Sequence, residues 1–98
     1  MIKKAHEIAN ITEASLDKKA REFIVNTAGP VIIQAAEEGR DSAYIDLLEN
    51  FDMIESGRVG PIVAKILGNE FDYNAKFETI STYQEESAYV TVKWGHAL

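Results

Sequence analysis

The chain contains no cysteine and only two histidines among its 98 residues. The lack of cysteine excludes disulfides, thiol catalysis and every zinc site that uses thiolate ligands. The longest apolar runs are only a few residues, which is too short for a membrane span. Two lysines near the N-terminus have no apolar stretch behind them, so the pattern is not that of a secretory signal. We therefore expect a soluble protein of the cytoplasm.

Basic residues are also scarce: ten lysines and arginines oppose sixteen acids, for a net charge of −6. No run of lysine or arginine is longer than two, and this disfavours direct nucleic-acid binding, which needs a clustered basic face. The acidity has two explanations. It keeps small domains apart in solution, or it engages a basic partner protein and imitates the phosphates that such a partner binds. Under the second explanation, Glu37 and Glu38 are candidate interface residues.

No set of residues with catalytic spacing is present. His6 and His96 lie near opposite ends of the chain, and no serine stands in a Gly-x-Ser-x-Gly turn. Asp46, Glu49 and Asp52 recur every third residue, but a strand through this segment would scatter their carboxylates. We therefore predict that the protein is not an enzyme, with no catalytic residues, no metal site and no cofactor.

Hydrophobic periodicity predicts a helical N-terminal part, over about 2–38. A short helix over 2–9 should be followed by a second one from about Thr12, because Asn10 and Glu13 have the spacing of a capping box. Gly29-Pro30 should kink or break that second helix, since proline removes a backbone donor. Gly39 supplies the residue that commonly ends a helix.

The second part of the chain alternates between strand and helix signals. A strand is predicted over about 43–48, a helix over about 57–67 and a hairpin over about 73–94, with its connection at 84–87. The helix should start no earlier than Ser56, because Pro61 is tolerated best in a first turn, and should stop at Gly68-Asn69. The fold class is α+β, with N-terminal helices packed on one face of a small, mainly antiparallel three-stranded sheet. One domain should cover residues 1–98.

Tyr44 and Tyr89 alternate away from the predicted inner face of this sheet. Exposed tyrosine is enriched at interfaces, so both are candidate interface residues; the alternative is a helix that covers this side. Trp94 ends the inner face of the last strand, which predicts a role in stability. Three strands with helices on one side leave a second face and two edges uncovered. We therefore expect a homo-oligomer.

The segment Gly57-Arg58-Val59-Gly60 combines two glycines, an arginine and a predicted helix start. Gly57, Arg58 and Gly60 are therefore candidate anion or ligand contacts. The segment lacks the lysine and the Ser/Thr of a P-loop. An ordinary helix start is the competing interpretation.

The pattern of Ala35, Ala36, Gly39, Ser42 and Ile45, with Trp94 near the end of a last strand, resembles a group of small tailed-bacteriophage and prophage proteins. The resemblance spans roughly residues 20 to 95, and Gly29-Pro30 departs from the continuous helix that is usual in that group. It implies phage origin and a bacterial host, and it brings no catalytic residues with it.

Three functions remain open. The first is a non-enzymatic interaction protein that binds a host protein, such as a defence factor, and inhibits or sequesters it. The second is an oligomeric module for a nucleotide-like ligand, with its anion contact at Arg58. The third is a minor virion or assembly component.

Overall fold

A computed structural model describes residues 2–95 of the chain; His96 lies outside the described residues. Within that range the chain forms three α-helices, one π-helical turn and three β-strands. In chain order these are α1 (Ala5–Phe23), the π turn (Ile24–Ala28), α2 (Gly29–Glu37), β1 (Ser42–Asp46), α3 (Met53–Phe71), β2 (Asn74–Ser81) and β3 (Glu86–Lys93).

The first helix runs without interruption from Ala5, so the predicted second start near Thr12 is wrong. The Glu7 carboxylate accepts a hydrogen bond from the backbone N–H of Lys4 at 3.3 Å, which places the helix N-terminus there. The Thr12 hydroxyl donates to the carbonyl of Ile8 at 3.1 Å, within the helix. An exposed asparagine inside a helix costs less than about 1 kcal/mol relative to alanine. That penalty is too small for Asn10 to break the helix.

The predicted disruption at Gly29-Pro30 takes the form of a π-helical turn, and the chain stays helical on both sides of it. The backbone N–H of Gly29 donates to the carbonyl of Ile24, five residues back. Pro30 follows at the start of α2 and has no N–H to donate. The wider turn spaces the carbonyls that the proline ring would otherwise crowd. The disruption is therefore absorbed within one continuous helical segment.

Both predicted ends of the third helix are wrong. It begins at Met53, because the Asp52 carboxylate accepts a hydrogen bond from the backbone N–H of Glu55 at 2.7 Å. Pro61 consequently lies in the helix interior, on its exposed side, where water can solvate the carbonyl that the proline leaves unbonded.

The other end of α3 passes through Gly68. The helix stops at Asp72, which adopts the left-handed conformation with φ 64°. Aspartate reaches this region more easily than most residues because its short polar side chain bonds locally. The backbone N–H of Tyr73 then donates to the carbonyl of Leu67 at 3.1 Å, as in a Schellman motif.

The three strands form one antiparallel sheet in the order β1-β3-β2, so β3 is central and the other two are edges. In this register Val90 of β3 lies between Ile45 of β1 and Phe77 of β2. The hairpin connection is Thr82–Glu85, two residues earlier than predicted. The backbone N–H of Thr82 donates to the carbonyl of Glu85 at 2.7 Å and closes this turn.

The helices cover one face of the sheet, which confirms the predicted α+β class. Ala43, Ile45 and Leu47 point inward as their alternation predicts, and so do Ala88, Val90 and Val92 of β3. Trp94 extends this face and is only half-buried, with its ring edge-on to Tyr73 at a centroid distance of 6.2 Å. These side chains and the helices form a single core: Ala20, Phe23, Ile24, Ala28, Ile32, Ala35, Ala43, Ile45, Leu47, Val59, Val63, Ile66, Leu67, Ala88, Val90 and Val92.

The first helix lies across the third. Lys19 bonds to Glu55 in the first turn of α3 at 3.1 Å, and Arg21, two residues on, bonds to Glu70 in its last turn. Ala20 lies between them and is fully buried, so its small side chain lets the helices approach closely. Residues 5–15 of α1 extend past this crossing and are exposed.

Candidate interaction surface

The face of the sheet opposite the helices carries the two predicted interface tyrosines. This outer face consists of the outward side chains of Ser42, Tyr44, Asp46, Asn74, Lys76, Glu78, Ile80, Ser87, Tyr89, Thr91 and Lys93. Tyr44 and Tyr89 occupy diagonal positions on neighbouring strands, where aromatic side chains reach each other. Their rings stack at a centroid distance of 4.4 Å and an interplanar angle of 25°. Tyr44 is 56% exposed.

A hydrogen bond from the Tyr89 hydroxyl to the Glu78 carboxylate, at 2.9 Å, orients the second ring. It raises the pKa of Tyr89, because losing the hydroxyl proton would place two negative charges together. It lowers the pKa of Glu78, helped by Lys76, whose Nζ lies 3.3 Å from the same carboxylate. The pKa of Tyr44 is also raised, first by desolvation and then by Asp46 and Glu85. Both tyrosines therefore remain neutral hydrogen-bonding groups at ordinary pH.

Charge on the outer face is balanced but sorted along the strands. Lys93 lies in one row, opposite Ser42 and Asn74, and Lys76 lies in the next, opposite Thr91. The carboxylates of Asp46 and Glu78 share the row after that, on either side of Tyr89. One end of the face is therefore basic and the middle acidic. The face carries no net charge, so the −6 of the chain resides elsewhere.

Glu37 and Glu38 lie at the end of α2 and are exposed, as the prediction required. Glu38 forms an ion pair with Arg40. Glu37 follows Ile33 by one helical turn, so the two side chains share one side of α2. Glu37 therefore stands beside an exposed isoleucine, a neighbour that was not part of the prediction.

That isoleucine is part of a feature that the sequence analysis missed, an apolar notch of about 160 Å³ between α2 and the end of α3. Ile33 and Phe71 remain 59% and 53% exposed at its edge. Two carboxylate residues lie close to the lining residues in the chain: Glu37 comes one helical turn after Ile33, and Asp72 stands between Phe71 and Tyr73. The only available signal was Ile33 itself, an isoleucine out of phase with the buried side of α2. The notch is lined by Ile24, Gly29, Ile32, Ile33, Leu67, Phe71 and Tyr73.

The helix start predicted at Gly57, Arg58 and Gly60 is absent, because α3 begins four residues earlier. The amides of this segment lie inside the helix and are not presented to an anion. Gly60 is a packing residue: a Cβ there would lie 2.2 Å from the ring of Phe77. Arg58 is exposed. Its role as a ligand contact stays a prediction without this geometric support.

A larger groove of about 590 Å³ lies between α1 and α3. It is lined in part by charged side chains that form ion pairs with one another. The Arg21 guanidinium donates to both oxygens of Glu70, at 3.0 and 2.7 Å, and to Asp17 at 2.8 Å. These bonds raise the pKa of Arg21 and lower that of Glu70. This arginine serves to hold the two helices together.

Within residues 2–95, no three histidine or carboxylate side chains come together so that they could hold a metal ion. No helix in the same range has the length and apolar character needed to cross a membrane. Comparison with protein-family models, with curated proteins and with solved structures found no match. The resemblance to small phage proteins therefore stays a resemblance.

Proposed function

We propose that the chain is a small acidic, non-enzymatic interaction protein of phage origin. It binds a host protein in the bacterial cytoplasm and inhibits or sequesters it, with a defence factor among the candidates, and it acts as a homo-oligomer. The observation that carries this proposal is the apolar notch of α2 and α3 with carboxylates beside it.

The location of charge supports a basic partner. Because the outer face of the sheet is neutral, the whole excess of six negative charges lies outside that face. Among the residues that the structure describes, four of the eight lysines and arginines outside the outer face form ion pairs with carboxylates of the same chain: Lys18, Lys19, Arg21 and Arg40. A basic surface approaching the helical side is attracted and oriented.

The notch supports one class of contact. Exposed apolar side chains with a polar rim are typical of a site that receives one anchoring side chain of a partner. Glu37 and Asp72 would face the residues that flank such an anchor. The occupant that fits is a segment with one large apolar residue between lysines or arginines. A nucleotide-like ligand, in contrast, would meet carboxylates and no cation of the notch.

The test is a defined binary complex. A tagged chain is purified from a bacterial host, co-purifying proteins are identified by mass spectrometry, and each is repurified and titrated against the chain. The partner should be basic, and its association rate should fall as salt rises, since exposed charges are screened beyond about 10 Å at 0.1 M salt. Glu37→Lys and Phe71→Ser should each weaken binding at least about tenfold, the loss expected of an interface hot spot.

Glu86→Lys is the matched control, because it changes the charge equally at the hairpin end of β3, far from the notch. It should change binding little. An association rate that ignores both salt and Glu37→Lys would refute the acidic docking surface. Turnover in a hydrolase and phosphatase screen, whether or not it depends on histidine, would refute the proposal that the protein is not an enzyme.

A further inference from the structure

We infer that the outer face of the sheet pairs with the same face of a second copy, through a two-fold axis that crosses the strands at right angles. This inference deepens the oligomeric part of the proposed function and rests on that part alone. It does not involve the notch or the host partner.

The first step is the balance of charge. Two copies of a chain with a net charge of −6 repel one another over most of their surface. The outer face is different, because its two lysines and two carboxylates cancel. A second copy can therefore pack against this face without net charge repulsion.

The second step is the order of the rows. Tyr44 and Lys76 lie in one row with Thr91 between them, and Asp46 and Glu78 lie in the next with Tyr89 between them. A two-fold axis that passes between these rows reverses the strands of the second copy. The row that contains Lys76 then lies over the row of the second copy that contains Glu78. Lys76 of each copy therefore meets Glu78 of the other. The contact is self-complementary, as a two-fold interface must be.

The third step is the position of the tyrosines. The stacked rings of Tyr44 and Tyr89 bridge these same two rows, so they lie at the centre of the proposed contact. Their hydroxyls remain protonated because the pKa of each is raised. Broad rigid rings at the centre, with charged pairs toward the edge, match the usual anatomy of a protein interface.

The area sets the expected strength. Three strands spaced about 4.8 Å apart, with roughly 25 Å of length, make a small face. Pairing two such faces buries roughly 700 Å², which is below the roughly 1,000 Å² expected of a specific, stable interface. The dimer should therefore be weak and should depend on protein concentration.

Charge reversal in a mixture of variants tests this geometry. Lys76→Glu places a carboxylate over Glu78 of the second copy, and Glu78→Lys places a lysine over Lys76 of the second copy. Each variant alone should dimerise at least about tenfold more weakly than the wild type, as measured by sedimentation over about 1 µM to 1 mM. An equimolar mixture of the two variants should recover association, because each reversed charge then meets its opposite.

The mixture also controls for folding, since each variant has the same fold alone and mixed. If Glu78→Lys does not fold, the double variant Lys76→Glu/Glu78→Lys is used instead. It keeps one lysine and one glutamate at these two positions of β2, so it should dimerise with itself. Glu38→Lys and Arg40→Glu are matched controls, because this ion pair has the same two-residue spacing outside the sheet. Both should leave association unchanged.

Tyr44→Ala separates face pairing from pairing along the free edge of β2, where Lys76 and Glu78 also meet their counterparts. Tyr44 lies on β1, at the other edge, so its loss should weaken only the face contact. Association that survives Tyr44→Ala would overturn the inference in favour of an edge. A wild type that stays monomeric to 1 mM, or a mixture of variants that does not recover, would also overturn it.

Discussion

The two faces of β3 differ in burial and in composition. On the inner face, Ala88, Val90 and Val92 are completely buried beneath the helices. On the outer face, Tyr89 and Thr91 alternate with them and stay partly exposed. The period of two residues that defines a strand assigns each side chain to one face or the other. One strand thus contributes to the core on one side and, on the other, to the outer face through which we propose that two copies pair.

The comparison teaches how stability and binding are divided in a small domain. A chain of this length buries only somewhat over 60% of its unfolded surface, so its inner face must be fully used. The outer face does not contribute to the core, and it carries two tyrosines and equal numbers of positive and negative side chains. Changes to the inner face should therefore alter the free energy of unfolding, whereas changes to the outer face should alter association.

The largest effect is expected from neighbouring residues of β1 that point in opposite directions. Ile45→Ala removes a side chain that is 1% exposed and should cost about 2–5 kcal/mol in the free energy of unfolding. Tyr44→Ala removes an exposed ring and should cost less than about 1 kcal/mol. Urea denaturation of the two variants measures the difference. Equal costs would contradict the division between the faces.

A smaller effect is expected where the inner face meets α3. Gly60→Ala introduces a Cβ at 2.2 Å from the ring of Phe77, and overpacking of this kind costs about 1–3 kcal/mol. Adding Phe77→Leu should recover part of this loss by freeing space. Gly57→Ala is the matched control, because nothing lies within 4 Å of that position, and it should stabilise the helix slightly. Equal effects at the two glycines would refute the packing role of Gly60.

Ser56 offers a still smaller test, with the opposite sign. Its hydroxyl is fully buried on α3 and has no hydrogen-bond partner among the described residues. Ser56→Ala removes an unsatisfied polar group and adds helix propensity, so it should raise the unfolding free energy by about 0.5–1 kcal/mol. A higher urea midpoint at unchanged slope would show this. A lower midpoint would mean that the hydroxyl contributes a stabilising bond.

The smallest effect concerns pH on the outer face. The pKa of Glu78 is lowered by the Tyr89 hydroxyl and then by Lys76, so its contribution to stability is present above its ordinary value of 4.5 and is lost as pH falls through the lowered pKa. The pKa of Tyr89 is raised, so its contribution is present below 10.0 and is lost at higher pH. In a carboxyl NMR titration, Tyr89→Phe should raise the pKa of Glu78, and Tyr44→Phe should leave it unchanged. An unchanged value in Tyr89→Phe would contradict the hydrogen bond.

The sheet was predictable from the sequence because strict alternation in 43–47 and 88–94 states which side chains are buried. Gly39, which has φ 83°, follows the end of α2 as predicted. The junction predicted near Thr12 and both predicted ends of α3 were wrong, because they depended on competing local signals. Asp52 caps α3 despite Pro61 nine residues later, and Asp72 ends it despite Gly68. Periodicity assigns residues to faces, whereas a helix end is decided by single hydrogen bonds of the order of 1 kcal/mol.

The candidate interaction surfaces were predictable in part for the same reason. Tyr44 and Tyr89 were assigned correctly to the outer face by alternation alone. The rows that join Tyr44 to Lys76 across Thr91, and Asp46 to Glu78 across Tyr89, required the strand register. The apolar notch depends on where α2 and the end of α3 lie in space. These segments are far apart in the chain, and no local sequence pattern reports their relative position.

The most direct test of the division between the faces is an NMR dilution series of the wild-type chain with assigned backbone amides. If the outer face pairs with a second copy, concentration-dependent shifts should be confined to β1, β2 and β3, centred on Tyr44 and Tyr89. The amides of α1, including those beside the exposed Ile8 and Ile11, should not change. Shifts centred on α1, or none up to about 1 mM, a limit that excludes all but the weakest association, would contradict the account.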